Sequence, residues 1–436
     1  MNICMFTNTY LPHVGGVARS VSISAEDLRE MGHNVLVVAP TFPDNYESPE
    51  DANDYEEGGV LRMPAIQNFN GSDFSVRIPI PFYINERIDE FQPDIIHSHH
   101  PYLLGDSAMR AARKRGLPLI FTHHTLYEEY THYVTSDSEA MKRFASVLST
   151  EYANLCSRVV APSGSIRSLI RERGVKTPVS VVPTGVDTAF FQSGDGSSFR
   201  RMNGIPEDVP VIGHLGRLAP EKNLSFLAES IVRVVRENRQ IRFLVAGEGP
   251  SQKEIVHIFR REGVEKSLVM PGKLTGNSLA DAYAAMDLFV FSSKSETQGM
   301  VLAEAMAAGV PVVALDASGV REVLKDGENG RLLDKDADEN MFASETLQIL
   351  TNKEQMERWR SGAFETGSMF DRKQCAKDLH ELYEAIIEEK PAKIKSSNLE
   401  PWEAILMAIQ TEWDLFTEKA KAFAHVVRKN GKGKSF

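Results

Sequence analysis

One pattern restricts the fold more than any other: short apolar runs recur along the chain with an amphipathic segment between each pair, and the series occurs twice. The first series comprises Asn2–Thr7, Asn34–Ala39, Asp94–His97, Pro118–Thr122, Arg158–Ala161 and Val179–Val182. A Gly15-Gly16 turn and a predicted helix over Ser20–Met31, ended by Gly32, separate its first two runs. The second series comprises Val211–Leu215, Arg242–Ala246, Ser267–Met270, Leu288–Phe291 and Val310–Ala314. Continuous apolar runs separated by helices imply parallel strands covered on both faces and joined by right-handed crossovers. The expected class is therefore α/β, with two tandem Rossmann-like domains facing across a cleft at the carboxyl ends of their strands.

A length of 436 residues suits two cores better than one. The expected domains are 1–195 and 205–370, with a linker-like Gly194–Ser198 between them. A helix over 371–390 is expected to cross back to the first domain, and 398–436 to form an amphipathic helical tail. Asp44–Glu57 holds seven acidic residues and Pro49, which predicts a long solvated loop.

A net charge of −11 argues against nucleic acid as a partner. Three separated cysteines, Cys4, Cys156 and Cys375, form neither a disulfide framework nor a zinc motif, so a reducing cytoplasm is expected. The longest apolar stretch, Val301–Leu315, contains Glu304 and Pro311 and is too short to span a bilayer. Any membrane contact is then peripheral.

Two features bear on such contact. In the tail, Trp402, Ile405, Leu406, Ile409, Trp413, Phe416, Ala420, Phe423 and Val427 recur at spacings of three and four, one face of a helix. From Lys419 onward there are six Lys or Arg and no acids. That face either packs on protein or lies on an anionic membrane surface. Basic clusters at Arg110, Arg113, Lys114 and Arg115, and at Arg167, Arg171 and Arg173, are either solvated helix faces or further membrane contacts.

The densest chemical signal lies in the second series. Gly213-His-Leu-Gly-Arg217 leads to Lys222, five residues on, so that glycines permit close backbone approach and two cations could offset a diphosphate's charge. After the run ending at Phe291 comes Glu296-Thr-Gln-Gly-Met-Val-Leu-Ala-Glu304, with Gly299 opening a helix whose amide donors favour an anion. Ala305-Met-Ala-Ala-Gly309-Val-Pro311 follows.

These segments, with Gly247-Glu-Gly-Pro250, Pro183-Thr-Gly-Val-Asp187 and Asp326-Gly-Glu-Asn-Gly330, closely resemble the retaining glycosyltransferases of family 4, which have the GT-B fold. The resemblance runs from Met1 to about Lys390. It implies a nucleotide diphosphate sugar as donor, its phosphates held by Arg217 and Lys222 and its ribose by Glu304. Glu296 would hold the hydroxyls of the transferred sugar, and the amides of Gln298, Gly299 and Met300 would cap the diphosphate. Gly16 would lie on the acceptor side, near the phosphates once the cleft closes. His124, in Thr122-His123-His124-Thr125, matches the family's strand-end histidine and would position and polarise rather than act as an obligatory base. In this family the departing phosphate is thought to take the acceptor's proton, and no metal cofactor is implied.

His124-Thr-Leu-Tyr127-Glu-Glu-Tyr130-Thr-His132-Tyr133 and Phe6–Val17 resemble bacterial diacylglycerol glucosyltransferases. That likeness implies a hexose, with UDP-glucose as donor, passing to a lipid acceptor, with Tyr127, Tyr130 and His132 on the acceptor. Tyrosines at a helix start also suit core packing, above all for Tyr133. Rival readings remain: GDP-mannose or another UDP-sugar with a polyprenyl-linked or polysaccharide acceptor, a nucleotide-sugar epimerase, or a non-catalytic binding protein of the same fold. His97, His99, His100 and His123, or Asp336 and Asp338, could in principle ligate a metal, but their spacing establishes no ligand set.

Overall fold

The computed structural model describes residues 1–13, 15–41, 59–63, 65–66, 76–77, 81–129, 138–389 and 410–423. The acidic stretch Asp44–Glu57, the acceptor candidates Tyr130 and His132, and tail residues 398–409 and 424–436 lie outside the described residues. The chain forms two compact units: Met1–Pro183 with Cys375–Phe436, and Thr184–Gln374.

The first unit is built on a seven-stranded sheet. Its spatial order is Val60–Met63, Asn34–Pro40, Asn2–Phe6, Ile95–Ser98, Leu119–Thr122, Arg158–Ala161 and Val179–Val181, all neighbours parallel. The central strand shows why its sequence is apolar throughout. Cys4 and Phe6 enter the core on one face of the sheet and Ile3 and Met5 the core on the other. Helix Arg372–Glu388 places Leu379, Tyr383 and Ile386 in the second of these cores, beside Ile3 and Met5.

The second unit repeats the plan with six strands. Their order is Leu268–Gly272, Arg242–Ala246, Val211–Leu215, Leu288–Phe291, Val312–Leu315 and Gly330–Leu333, again all parallel. In both sheets the first strand is central and the crossover reverses beside it, which makes the carboxyl ends of the central strands the natural ligand-binding edge.

The segment read as a linker, Gly194–Ser198, is ordered structure. Gly196–Met202 is helical, and Phe199 is buried in the core of the second unit together with Phe191. A Cβ at Gly194 would lie 2.4 Å from the Ala280 carbonyl oxygen and one at Gly196 2.3 Å from that of Ala284. These glycines are there for close packing on a helix rather than for flexibility. Among the described residues no helix is long and apolar enough to cross a membrane.

Candidate active site

In the second unit the chemistry gathers where strands Val211–Leu215 and Leu288–Phe291 end. The first strand exits through Gly216, at φ +147°, into Arg217, and then into the short 3-10 turn Pro220–Lys222. Gly247 and Gly249, at φ +141° and +152°, pack so tightly on this exit that a Cβ would fall 1.9 Å from the Gly216 carbonyl oxygen and 2.3 Å from that of Leu218. The turn is also tied to the neighbouring strand. Ser292 Oγ donates to the carbonyls of Lys222 at 2.9 Å and Asn223 at 3.0 Å.

That lacing brings together side chains far apart in sequence. Lys222 Nζ donates to Glu296 Oε1 at 2.5 Å. Burial pushes the Glu296 carboxyl up, but the Lys222 ammonium and hydrogen bonds from Lys222 and Ser293 outweigh it and hold its pKa below the usual value. Arg217 pairs with Glu221 at 2.5 Å and stays partly exposed.

Gly299, at φ +73°, lets the loop turn into helix Met300–Ala307, whose first-turn amide donors point back along the loop. Glu304, in that helix, is buried, and its Oε2 accepts from Tyr283 Oη at 2.8 Å. The Gln298 side chain has a structural use. Its Oε1 accepts from the Thr184 amide at 2.8 Å and its Nε2 donates to the Thr184 carbonyl at 2.6 Å. Only its backbone is left for a ligand. His214 lies buried beside the rings of Phe289 and Phe291, 6.0 Å from each, with Nδ1 3.1 Å from the Val290 carbonyl. Burial lowers its pKa to about 4.

The first unit gathers histidines at the equivalent edge. His97 spans Tyr383 Oη and Thr122 Oγ1, at 2.6 Å each. His99 Nδ1 lies 2.8 Å from His124 Nε2, with their rings stacked, and His100 Nδ1 accepts from the Asn8 amide at 3.1 Å. Burial lowers the pKa of His97 and His100 to about 3 and that of His123 to about 4. For His99 and His124, burial and neighbouring imidazoles act together, and both lie well below the usual value. The cluster is thus neutral at pH 7, able to offer lone pairs or single N–H donors but not charge. His99 Nε2 and His123 Nδ1 are buried without a hydrogen-bond partner among the described residues.

Gly16 is the first residue of helix Gly16–Glu30, and a Cβ there would meet nothing within 4 Å, so open space lies above it. Tyr127 is buried in the core, its ring edge-on to Tyr102 at 5.6 Å and His123 at 5.8 Å, with Oη unpartnered among the described residues. Its position is that of a packing residue. Among the described residues no group of three or more His, Cys, Asp or Glu side chains is arranged to hold a metal ion.

Several of these partners have little signature in sequence. Ser292-Ser293 directly after an apolar strand was the available clue to the lacing. Tyr283, His99 as the partner of His124, and the aromatic neighbours of His214 depend on strand order.

The family model described as Glycosyltransferase Family 4 matches residues 14–190, and that described as Glycosyl transferases group 1 matches 196–366. A GDP-mannose-dependent alpha-mannosyltransferase of Mycolicibacterium smegmatis is 30% identical over 81% of this chain and 90% of its own length. The chain belongs to glycosyltransferase family 4. An alpha-monoglucosyldiacylglycerol synthase of Streptococcus pneumoniae is 28% identical over 76% of this glycosyltransferase and 75% of its own length. In structure, the chain is similar to Anabaena HepE in complex with UDP, with a TM-score of 0.70 at 21% identity, covering 88% of this chain and all (100%) of that one. The two Rossmann-like units and helical C-terminal region are those of a GT-B glycosyltransferase.

Proposed function

We propose that this glycosyltransferase moves a hexose, with retention, from UDP-glucose to a lipid acceptor such as diacylglycerol, working at the inner face of the cell membrane. The observation that carries the donor half is the half-buried Lys222–Glu296 pair at the ends of two adjacent central strands, with Glu304 held behind it by Tyr283. Lys222 and Arg217 are suited to a diphosphate whose charge grows as the sugar leaves, and Glu296 remains ionised to accept from sugar hydroxyls. The amides of Gln298, Gly299 and Met300, at the start of helix Met300–Ala307, suit the diphosphate, and Glu304 a ribose. Turnover on this reading draws its charge stabilisation from these residues and needs no metal.

His124, kept neutral, polarises and orients rather than removing a full proton, and the open space at Gly16 leaves room for a ligand to approach the backbone. The lipid half rests on the diacylglycerol-type pattern from His124 to Tyr133, of which Tyr130 and His132 lie outside the described residues. The name of the pneumococcal relative agrees with it. A second reading, GDP-mannose as donor, is favoured by the 30% identity to the mycobacterial mannosyltransferase.

The deciding assay offers a panel of UDP- and GDP-sugars with diacylglycerol in anionic mixed micelles, with and without EDTA. A glycolipid from UDP-glucose in EDTA, carrying an α-linkage, is the expected result. A product from GDP-mannose alone transfers the proposal to the second reading, and dependence on one added metal ends the metal-free mechanism.

A further inference from the structure

We infer that residues 410–423 form a helix fixed to the first unit by one face so that its opposite, aromatic face docks on an anionic lipid surface. The geometry separates the two faces cleanly. At about 100° per residue, Thr411, Leu415, Glu418 and Ala422 share one arc, and all are buried. Trp413, Phe416, Ala420 and Phe423 share the opposite arc. Trp413 is 63% exposed and Phe416 and Phe423 are 65% exposed each, and Ala420 is exposed as well. The apolar stripe legible in the sequence is therefore the face turned away from the protein, and the inward face is a mixed one.

What fixes the orientation is charge. Arg110 pairs with Glu412 at 2.5 Å, Arg113 with Asp414 at 2.5 Å, Lys419 with Asp106 at 2.8 Å, and Lys421 with Glu151 at 2.8 Å. Leu415 enters the apolar core that contains Ala108, Ala111 and Tyr152. Half of the basic cluster on helix Leu104–Arg115 is thereby paired with the tail, and Arg115 and Lys114 pair with Asp89. That helix is a mount for the tail and a poor membrane contact in its own right. A surface helix held by four ion pairs with its Trp and Phe rings toward solvent presents an apolar face of the kind that marks an interaction site.

The occupant follows from what continues the stripe. Trp402, Ile405, Leu406 and Ile409 precede it and Val427 follows, in the same periodicity, and Arg428, Lys429, Lys432 and Lys434 come after it with no acid. Aromatic rings followed in sequence by basic residues fit the boundary between acyl chains and anionic headgroups. The choice of a membrane rather than a second copy rests on the lipid-acceptor reading above, and the test separates the two.

The full-length chain is sedimented with phosphatidylcholine vesicles and with vesicles that also contain phosphatidylglycerol, alongside Trp413→Ala/Phe416→Ala/Phe423→Ala. The wild type is expected to partition onto the anionic vesicles, and the triple variant to lose about a thousandfold, since each of the three rings removed from water contributes roughly tenfold. All three side chains are exposed, so donor hydrolysis, measured in parallel, is expected to stay at the wild-type rate and reports that the variant is folded. A tryptophan spectral shift on adding vesicles that Trp413→Phe diminishes gives a second, direct readout. Equal partitioning of wild type and triple variant overturns the docking face, as does absence of partitioning by the wild type. Self-association of the wild type that the triple variant abolishes, without vesicle binding, assigns the face to a second copy instead. Lipid transfer in detergent without vesicle binding sinks only the docking surface, whereas vesicle binding without lipid transfer sinks only the acceptor reading.

Discussion

The two units use the same sheet edge to build opposite electrostatic environments. At the strand ends of the first unit, His97, His99, His100, His123 and His124 are packed close and held uncharged by burial. At those of the second, Glu296 is kept ionised by the Lys222 ammonium that it pairs with. The difference teaches what an open α/β edge can be tuned for. A neutral cluster can orient hydroxyls without attracting anions, whereas a charged pair gives a diphosphate a cation at no net local charge when the site is empty.

The largest effect expected from breaking this contrast is at the ion pair. Lys222→Ala leaves the half-buried Glu296 without its ammonium partner, so kcat/KM for the donor should fall at least about a hundredfold, the scale of one lost preorganised donor, and Tm should fall with it. Lys222→Met/Glu296→Gln restores a neutral interior, so Tm should recover while turnover does not. Recovery of both would place the pair outside the chemistry.

Acid sharpens the comparison at an intermediate scale. Imidazoles with depressed pKa bind protons more readily in the unfolded chain, so their contribution to stability is full above 6.5 and is lost as pH falls from there toward about 3. Glu296, also depressed, keeps its contribution until pH falls below 4.5. His214 adds one such imidazole to the second unit against five in the first, so amide exchange compared at neutral pH and at pH near 5 should show the first unit's central strands losing more protection than those of the second. Equal loss in both would mean that the histidine cluster is hydrated and titrates normally.

The smallest effect is behind the pair. Tyr283→Phe removes one hydrogen bond to Glu304, worth about 1 kcal/mol, so donor KM should rise about fivefold with kcat nearly unchanged. A fall in kcat instead would move Glu304 from nucleotide binding to the reacting sugar.

The strands, the glycine turns and the polar loops that carry Arg217, Lys222, Glu296 and Glu304 were legible because each depends on a local signal: an apolar run, a glycine at its exit, a charge just beyond. The linker reading failed at Gly194–Ser198 because glycine and serine look alike in a flexible joint and in a tight approach to a helix, and only the Ala280 and Ala284 carbonyls distinguish them. Gln298 was read by its backbone, and its side chain's two hydrogen bonds to Thr184 join residues 114 positions apart.

The sequence by itself determined the two parallel sheets, the family and the set of polar residues at the strand ends, since periodicity and turn chemistry act over a few residues. Tertiary structure decided which of those residues meet. Lys222 reaches Glu296 across 74 positions and His99 reaches His124 across 25, because parallel order sets adjacent strands beside each other regardless of their distance along the chain. It also decided which way the tail helix faces. Periodicity reveals that a helix has an apolar side, but the direction of that side depends on what the other side binds, here the carboxylates and ammonium groups that meet Arg110, Arg113, Asp106 and Glu151.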